Sequence, residues 1–160
     1  MESLEQLSFI VWVRESGSMW GYASFIFLHT LGLSTLAGVN AGVDLRVLGF
    51  APALPLAPMR RLFPLMWAAF AVTAFSGIVL LMTETSKATM PVFLIKLGFI
   101  TLAVINLRLL YVRVFNNPQT DTGPIPPAGR MLAATSIALW VGATIAGRLM
   151  AYLTPTGGGF

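Results

Sequence analysis

Residues 62–82 read LFPLMWAAFAVTAFSGIVLLM, an apolar run without one charged side chain. As a helix rising about 1.5 Å per residue, it matches a hydrocarbon core about 30 Å thick. Three further stretches are of the same kind: about Trp20–Ala41, Pro91–Leu110 and Met131–Leu153. Of the 160 residues, 56% are hydrophobic and only 10% charged, where an ordinary globular domain carries about 25% charged residues. Mean hydropathy is +0.80. So few charges cannot cover the surface of a soluble domain of this size. A free cytosolic enzyme, a disordered tail and a nucleic-acid binder are excluded. The expected fold is all-α: an integral membrane antiparallel four-helix bundle in one domain, residues 1–153, with a flexible tail over 154–160.

The connections carry their own signals. Pro91 suits the first turn of its helix, where the missing N–H costs little, and Thr89 can cap it. Arg60 and Arg61 mark the water-side start of the second span. Prolines at 52, 55 and 58 predict an extended polyproline segment. Asn116, Asn117, Pro118, Gly123, Pro124, Pro126, Pro127 and Gly129 predict a loop. The short stretch from Thr83 to Met90 makes spans two and three an antiparallel hairpin. Residues 3–15 are too short to span. Leu4, Leu7, Val11 and Trp12 can share one helical face, which predicts a short N-terminal helix lying on the membrane. The alternative is an extension of span one broken at Gly17.

Other classes of chemistry are closed off by counting. There are no cysteines and one histidine, so thiolate sites and a multi-His metal site within one chain are excluded. The acidic start, Met1-Glu-Ser-Leu-Glu5, indicates no cleaved signal peptide. The net charge of +4 comes from scattered basic residues, which suits membrane topology better than a nucleic-acid partner. Arg46, Arg60, Arg61, Arg108, Arg113 and Arg130 flank two connections on one side; at most four basic residues lie on the other. This places loops 42–61 and 111–130 in the cytoplasm and both termini in the periplasm of a bacterial inner membrane.

Ionisable groups within a span are costly, so they are candidates for function. His29, Lys96 and Arg148 qualify. Counting from the outer ends puts His29 roughly 14 Å deep and both Lys96 and Arg148 roughly 8 Å deep. Thr73, Thr101 and Thr144 share the His29 level; Asn106 and Ser136 lie in the inner half, with Asn40 near the inner end. Each has a plainer reading. Lys96 and Arg148 can snorkel to the interface or pair with Glu84. The threonines can bond back to their own helices. His29 can serve as a helix–helix hydrogen-bonding residue, or as haem ligand, quinone partner or proton relay. Gly38-Val-Asn-Ala-Gly42, Gly142/Ala146 and Ala143/Gly147 predict close helix contacts. Asp44-Leu-Arg46 reads as an interfacial cap and anchor. Trp20, Tyr152 and Trp67 sit at the boundaries, and Trp140 in the core.

Several phrases occur together: His29-Thr-Leu-Gly-Leu, Asp44-Leu-Arg-Val-Leu-Gly49, Phe75-Ser-Gly77, Lys96-Leu-Gly, Ile105-Asn106, and Trp140 followed by Gly147-Arg-Leu-Met-Ala-Tyr152. In this order the chain resembles a family of small bacterial four-span membrane proteins of unknown function, over about residues 20–153. That resemblance implies the fold and no activity. A looser similarity reaches copper-resistance membrane domains and four-span haem-binding membrane proteins, which also place a His in the first span and Lys-Leu at the head of a later one. The haem proteins carry a second intramembrane His where this chain has Asn106.

Three functions compete. The first is a redox-linked membrane subunit. In it His29 is a haem b iron ligand or quinone partner, and Lys96 and Arg148 meet haem propionates or a quinone carbonyl. The second is a non-enzymatic accessory or scaffold subunit, as a homo-oligomer or within a larger complex. The third is an oligomeric small-solute transporter. No Ser-His-Asp set, carboxylate pair or phosphate loop supports hydrolytic or transfer chemistry.

Overall fold

A computed structural model describes residues 6–15, 20–117 and 124–153 of the chain. Among them are five α-helices and no strand. They are α1 (Ser8–Glu15), α2 (Tyr22–Leu48), α3 (Leu62–Thr83), α4 (Pro91–Leu110) and α5 (Pro127–Leu153). Short 3₁₀ turns over Ala57–Arg61 and Thr85–Thr89 lead into α3 and α4, and a wider turn over Tyr111–Phe115 extends α4. Four helical stretches, Tyr22–Leu48, Ala57–Thr83, Pro91–Phe115 and Pro127–Met150, are long and apolar enough to cross a membrane.

The expected boundaries shift where local chemistry continues a helix. The first span runs on past Ala41 to Leu48, so Asp44 and Arg46 are helical and not loop residues. Gly49, at φ 110°, stops it: its N–H bonds the Arg46 carbonyl at 3.1 Å and the Phe50 N–H bonds Leu45 at 3.0 Å, a Schellman closure that only glycine adopts without strain. The proline-rich connection is not extended. Arg46 Nε donates to the Leu54 carbonyl (2.6 Å) and Nη2 to that of Pro52 (3.1 Å), gathering it into turns. The fourth span, α5, starts at Pro127, four residues before Met131, because proline is well suited to a first turn. Thr89 does not cap α4; its hydroxyl donates to the Ser86 carbonyl.

The hairpin expectation also changes. α2 packs along α3, α4 packs along α5, and α2 crosses α5 to join the two pairs. α3 and α4 follow one another through a short turn yet scarcely touch. The core fills one half of the bundle: Leu36, Val43, Met66, Leu107, Leu110 and Ala133 are buried there, and Phe63 stacks edge-on against Tyr111 and Phe115 with centroids 4.8 and 5.0 Å apart. In α4 no residue before Ala103 is fully buried. The other half of the bundle is therefore open between α3 and α4.

α1 docks on α3 through Ile10 and Val13, which are buried with Val79. Leu7 and Trp12 of the expected apolar face point outward. Gly17 and the 154–160 tail lie outside the described residues.

Candidate functional site

All four long helices line a cavity of about 280 Å³ in the open half, and His29, Thr73, Gly77, Phe93, Lys96 and Trp140 contribute to it. Its wall includes Ile78 of α3 and Leu97 of α4, which are 60% and 42% exposed. The cavity thus reaches the outer surface sideways, between the two helices that fail to pack.

His29 is held from α3. Its Nδ1–H donates to the Thr73 carbonyl at 2.9 Å, with the Ser76 hydroxyl 3.3 Å away. That assigns the proton to Nδ1 and leaves Nε2 with the free lone pair. Gly77 makes room for the ring: a Cβ there would lie 2.9 Å from His29 Cε1. Two other close approaches fix the helices around it. A Cβ at Gly32 would lie 2.5 Å from Thr73 Oγ1 and 3.0 Å from the Ala69 carbonyl, and one at Gly142 would lie 2.7 Å from the Phe99 ring.

Lys96 reaches across from α4 along α5, with its stem beside Gly147, where a Cβ would sit 3.6 Å from Lys96 Cε. It lies within electrostatic range of His29. Among the described residues no carboxylate pairs with it, because Glu84 is taken by Lys87 in the turn before α4. Trp140 adds a buried indole N–H that has no partner among the described residues.

Three of the expected groups therefore meet in one cavity: His29, Lys96 and Thr73. Thr73 takes part through its carbonyl, since its own hydroxyl bonds back to Ala69 at 2.9 Å. The others are placed elsewhere. Arg148 is exposed on the outward side of α5, one residue past the Gly147 that meets Lys96. Thr101 is exposed on α4. Thr144 bonds the Trp140 carbonyl at 2.9 Å and faces a separate groove between α2 and α5. Asn106 is buried in the core half, where Nδ2 ties α4 to α5 through the Leu132 carbonyl at 2.9 Å. Arg148 and Thr101 fail to join for the same reason: counting along a helix sets depth, while a step of one residue turns the side chain about 100° away.

The glycine pattern is also corrected. Gly38 and Gly42 have nothing within 4 Å of an added Cβ, so this GxxxG lies on an outward face. Gly142 and Gly147 do make the expected contacts, against α4.

A second polar group, in the core half, goes beyond the expectation for Asp44. It is not an interfacial cap but fully buried, at 0% exposure, beside Asn40 at 1% and Ser136 at 0%. The signal was available in the spacing: Leu36, Asn40, Val43, Asp44 and Val47 form one helical stripe once α2 is known to continue past Ala41. No group of three or more His, Cys, Asp or Glu residues that could hold a metal occurs among the described residues. Comparison with protein-family models, curated proteins and solved structures finds no match for this chain.

Proposed function

We propose that the chain is an integral protein of a bacterial inner membrane, with both termini periplasmic, and that it binds a lipophilic molecule with a carbonyl head, of the quinone class. One observation carries this reading: a fixed imidazole and an ammonium with no carboxylate partner among the described residues share an apolar cavity that opens sideways between α3 and α4. A bilayer lies against that opening, so a ligand dissolved in lipid can enter without crossing water. Lys96 then donates to a carbonyl oxygen and faces its partial negative charge. His29 Nε2 accepts a ligand hydroxyl proton or, when protonated, donates to the second carbonyl.

Haem b suits the cavity less well. The cavity, about 280 Å³, falls just below the range of small-molecule pockets, about 300–1,000 Å³, and a porphyrin needs far more than a single ring does. Besides His29 the lining holds no Met, Cys or Tyr to serve as a second axial ligand. The transporter reading has less behind it, because Thr101 and Thr144 lie off the cavity. The accessory-subunit reading draws on the outward Gly38–Gly42 face, a surface suited to a close helix partner in a homo-oligomer or larger complex. A disulfide-linked dimer of Gly38→Cys, in a chain with no native cysteine, tests it.

For the main reading, a short-chain ubiquinone is titrated into the protein in lipid nanodiscs while tryptophan fluorescence is followed. The expected result is saturable quenching that Trp140→Phe removes and that Lys96→Met weakens about tenfold or more, the value of one charge-assisted hydrogen bond, while His29→Ala weakens binding of the corresponding quinol, whose hydroxyl Nε2 accepts. Quenching that rises linearly with quinone and is equal in all variants overturns it.

A further inference from the structure

The core half of the bundle holds an ionisable group that the quinone reading does not use. Asp44 lies on α2, fifteen residues beyond His29, or about 22 Å along the helix. Asn40, one turn earlier, donates through Nδ2 to Asp44 Oδ2 at 2.5 Å and to Ser136 Oγ of α5 at 2.7 Å. All three side chains are at most 1% exposed. Asp44 Oδ1 and Asn40 Oδ1 are buried without any donor.

The charge has no answer either. Among the described residues no lysine or arginine pairs with Asp44. Arg46, on the same helix, turns its guanidinium to the carbonyls of Leu54 and Pro52. On α5 the facing group is the neutral Ser136, and Arg130 is exposed at the helix start. On α4 the buried polar side chain of the core half, Asn106, is spent on the Leu132 carbonyl, and Arg108 and Arg113 are exposed. Arg61, at the foot of α3, is exposed. An ionised carboxylate buried in this way would carry a desolvation cost with nothing to offset it.

We infer that Asn40, Asp44 and Ser136 form a second site within the bundle and that this site takes a proton, carried on the Asp44 carboxyl. Oδ2 is held by the Asn40 amide, and Oδ1 is the oxygen left free for the proton. A metal cation fits less well, because the Asn40 NH₂ already occupies the place between Asp44 Oδ2 and Ser136 Oγ where such an ion would sit. Asp44 is four residues from the helix end at Leu48, about 6 Å along the axis. Protonation removes the buried charge, and deprotonation restores it next to Asn40 and Ser136. The site thus holds a single proton in the core half, apart from the His29 cavity. It stands whether or not that cavity binds a quinone.

The chain has two aspartates, Asp44 and Asp121, so the test is clean. The full chain is labelled with carboxyl-¹³C aspartate, placed in nanodiscs and titrated by infrared spectroscopy. In Asp121→Asn, where Asp44 is the one labelled residue, the acid C=O band is expected at pH 7, well above the ordinary aspartate range near about 4. It should fade on raising the pH and be absent in Asp44→Asn. The measurement on Asp121→Asn decides the matter even where Asp44→Asn does not fold. A purely carboxylate signal at pH 7 overturns the inference. So does an acid band that appears only without sodium and vanishes on adding it, which would make the site a cation site.

Discussion

Gly32→Ala and Gly38→Ala add the same methyl group to the same helix, six residues apart, with opposite surroundings. At Gly32 the new Cβ would lie 2.5 Å from Thr73 Oγ1 and 3.0 Å from the Ala69 backbone carbonyl; at Gly38 it would meet nothing within 4 Å. Both variants gain roughly 0.8–1 kcal/mol of helix propensity, so that gain cancels in the comparison. What is left is the overpacking at Gly32, about 1–3 kcal/mol. It cannot be relieved by a rotamer change, because one of the crowded atoms is backbone. α2 and α3 must separate, and the Thr73 carbonyl that holds His29 at 2.9 Å moves with α3. Gly32→Ala should thus be less stable than Gly38→Ala by about 1–3 kcal/mol and bind quinone more weakly as well. Reversible unfolding in mixed micelles measures the first and fluorescence titration the second. Equal stability of the two variants within about 0.5 kcal/mol would refute the α2–α3 packing argued here.

Three other outcomes follow from the same geometry. Gly77→Ala places a methyl 2.9 Å from His29 Cε1; losing the His29–Thr73 bond costs about 1 kcal/mol, which the propensity gain nearly offsets, so the unfolding midpoint should barely move while quinone affinity falls several-fold. Arg148→Gln should leave quinone affinity unchanged within about twofold, as the side chain is outside the cavity, and a tenfold loss in the same titration would return Arg148 to the site. Asn40→Ala removes the donor to both Asp44 and Ser136 and should cost about 1–3 kcal/mol in micelle unfolding; an unchanged midpoint would mean that the trio adds nothing to packing.

The fold was legible in the sequence because bilayer thickness and helix rise turn apolar length directly into spans. Lys96 and His29 were legible for a related reason: an ionisable group in an apolar run stands out whatever its surroundings. What could not be read was rotation. Phe93, Lys96, Leu97 and Ile100 share the cavity face of α4, and Thr101 is a single step outside it. On α5 the sequence Trp140, Ala143, Gly147 follows the inner face and Arg148 leaves it. In spans apolar all round, no polar stripe betrays which face is inward. Pairing was also hidden. The short turn between α3 and α4 suggested close partners, but Gly32, Gly77 and Gly142, as points of close approach, draw α3 to α2 and α4 to α5. The gap left between α3 and α4 is the opening of the site. Asp44 was misread because span one was ended at Ala41; seven further helical residues carry it from a boundary into the core.

The spatial division between the two polar groups has a functional meaning under this account. The half of the bundle with the His29–Lys96 cavity is loosely packed and open to the side, as ligand exchange requires. The half with Asn40, Asp44 and Ser136 is tightly packed, with Leu36, Val43 and Leu107 at most 1% exposed. That tight half fixes the helix positions from which the open half diverges.

The central claim is that His29 and Lys96 share a cavity entered between α3 and α4. Photolabelling with an azido-quinone in nanodiscs, followed by peptide mapping, tests it most directly. Label on residues 70–81 of α3 and 93–100 of α4, competed away by unlabelled quinone and diminished in Lys96→Met, is the predicted result. Label spread over outward residues such as Leu102 and Ile105, without competition, would contradict it.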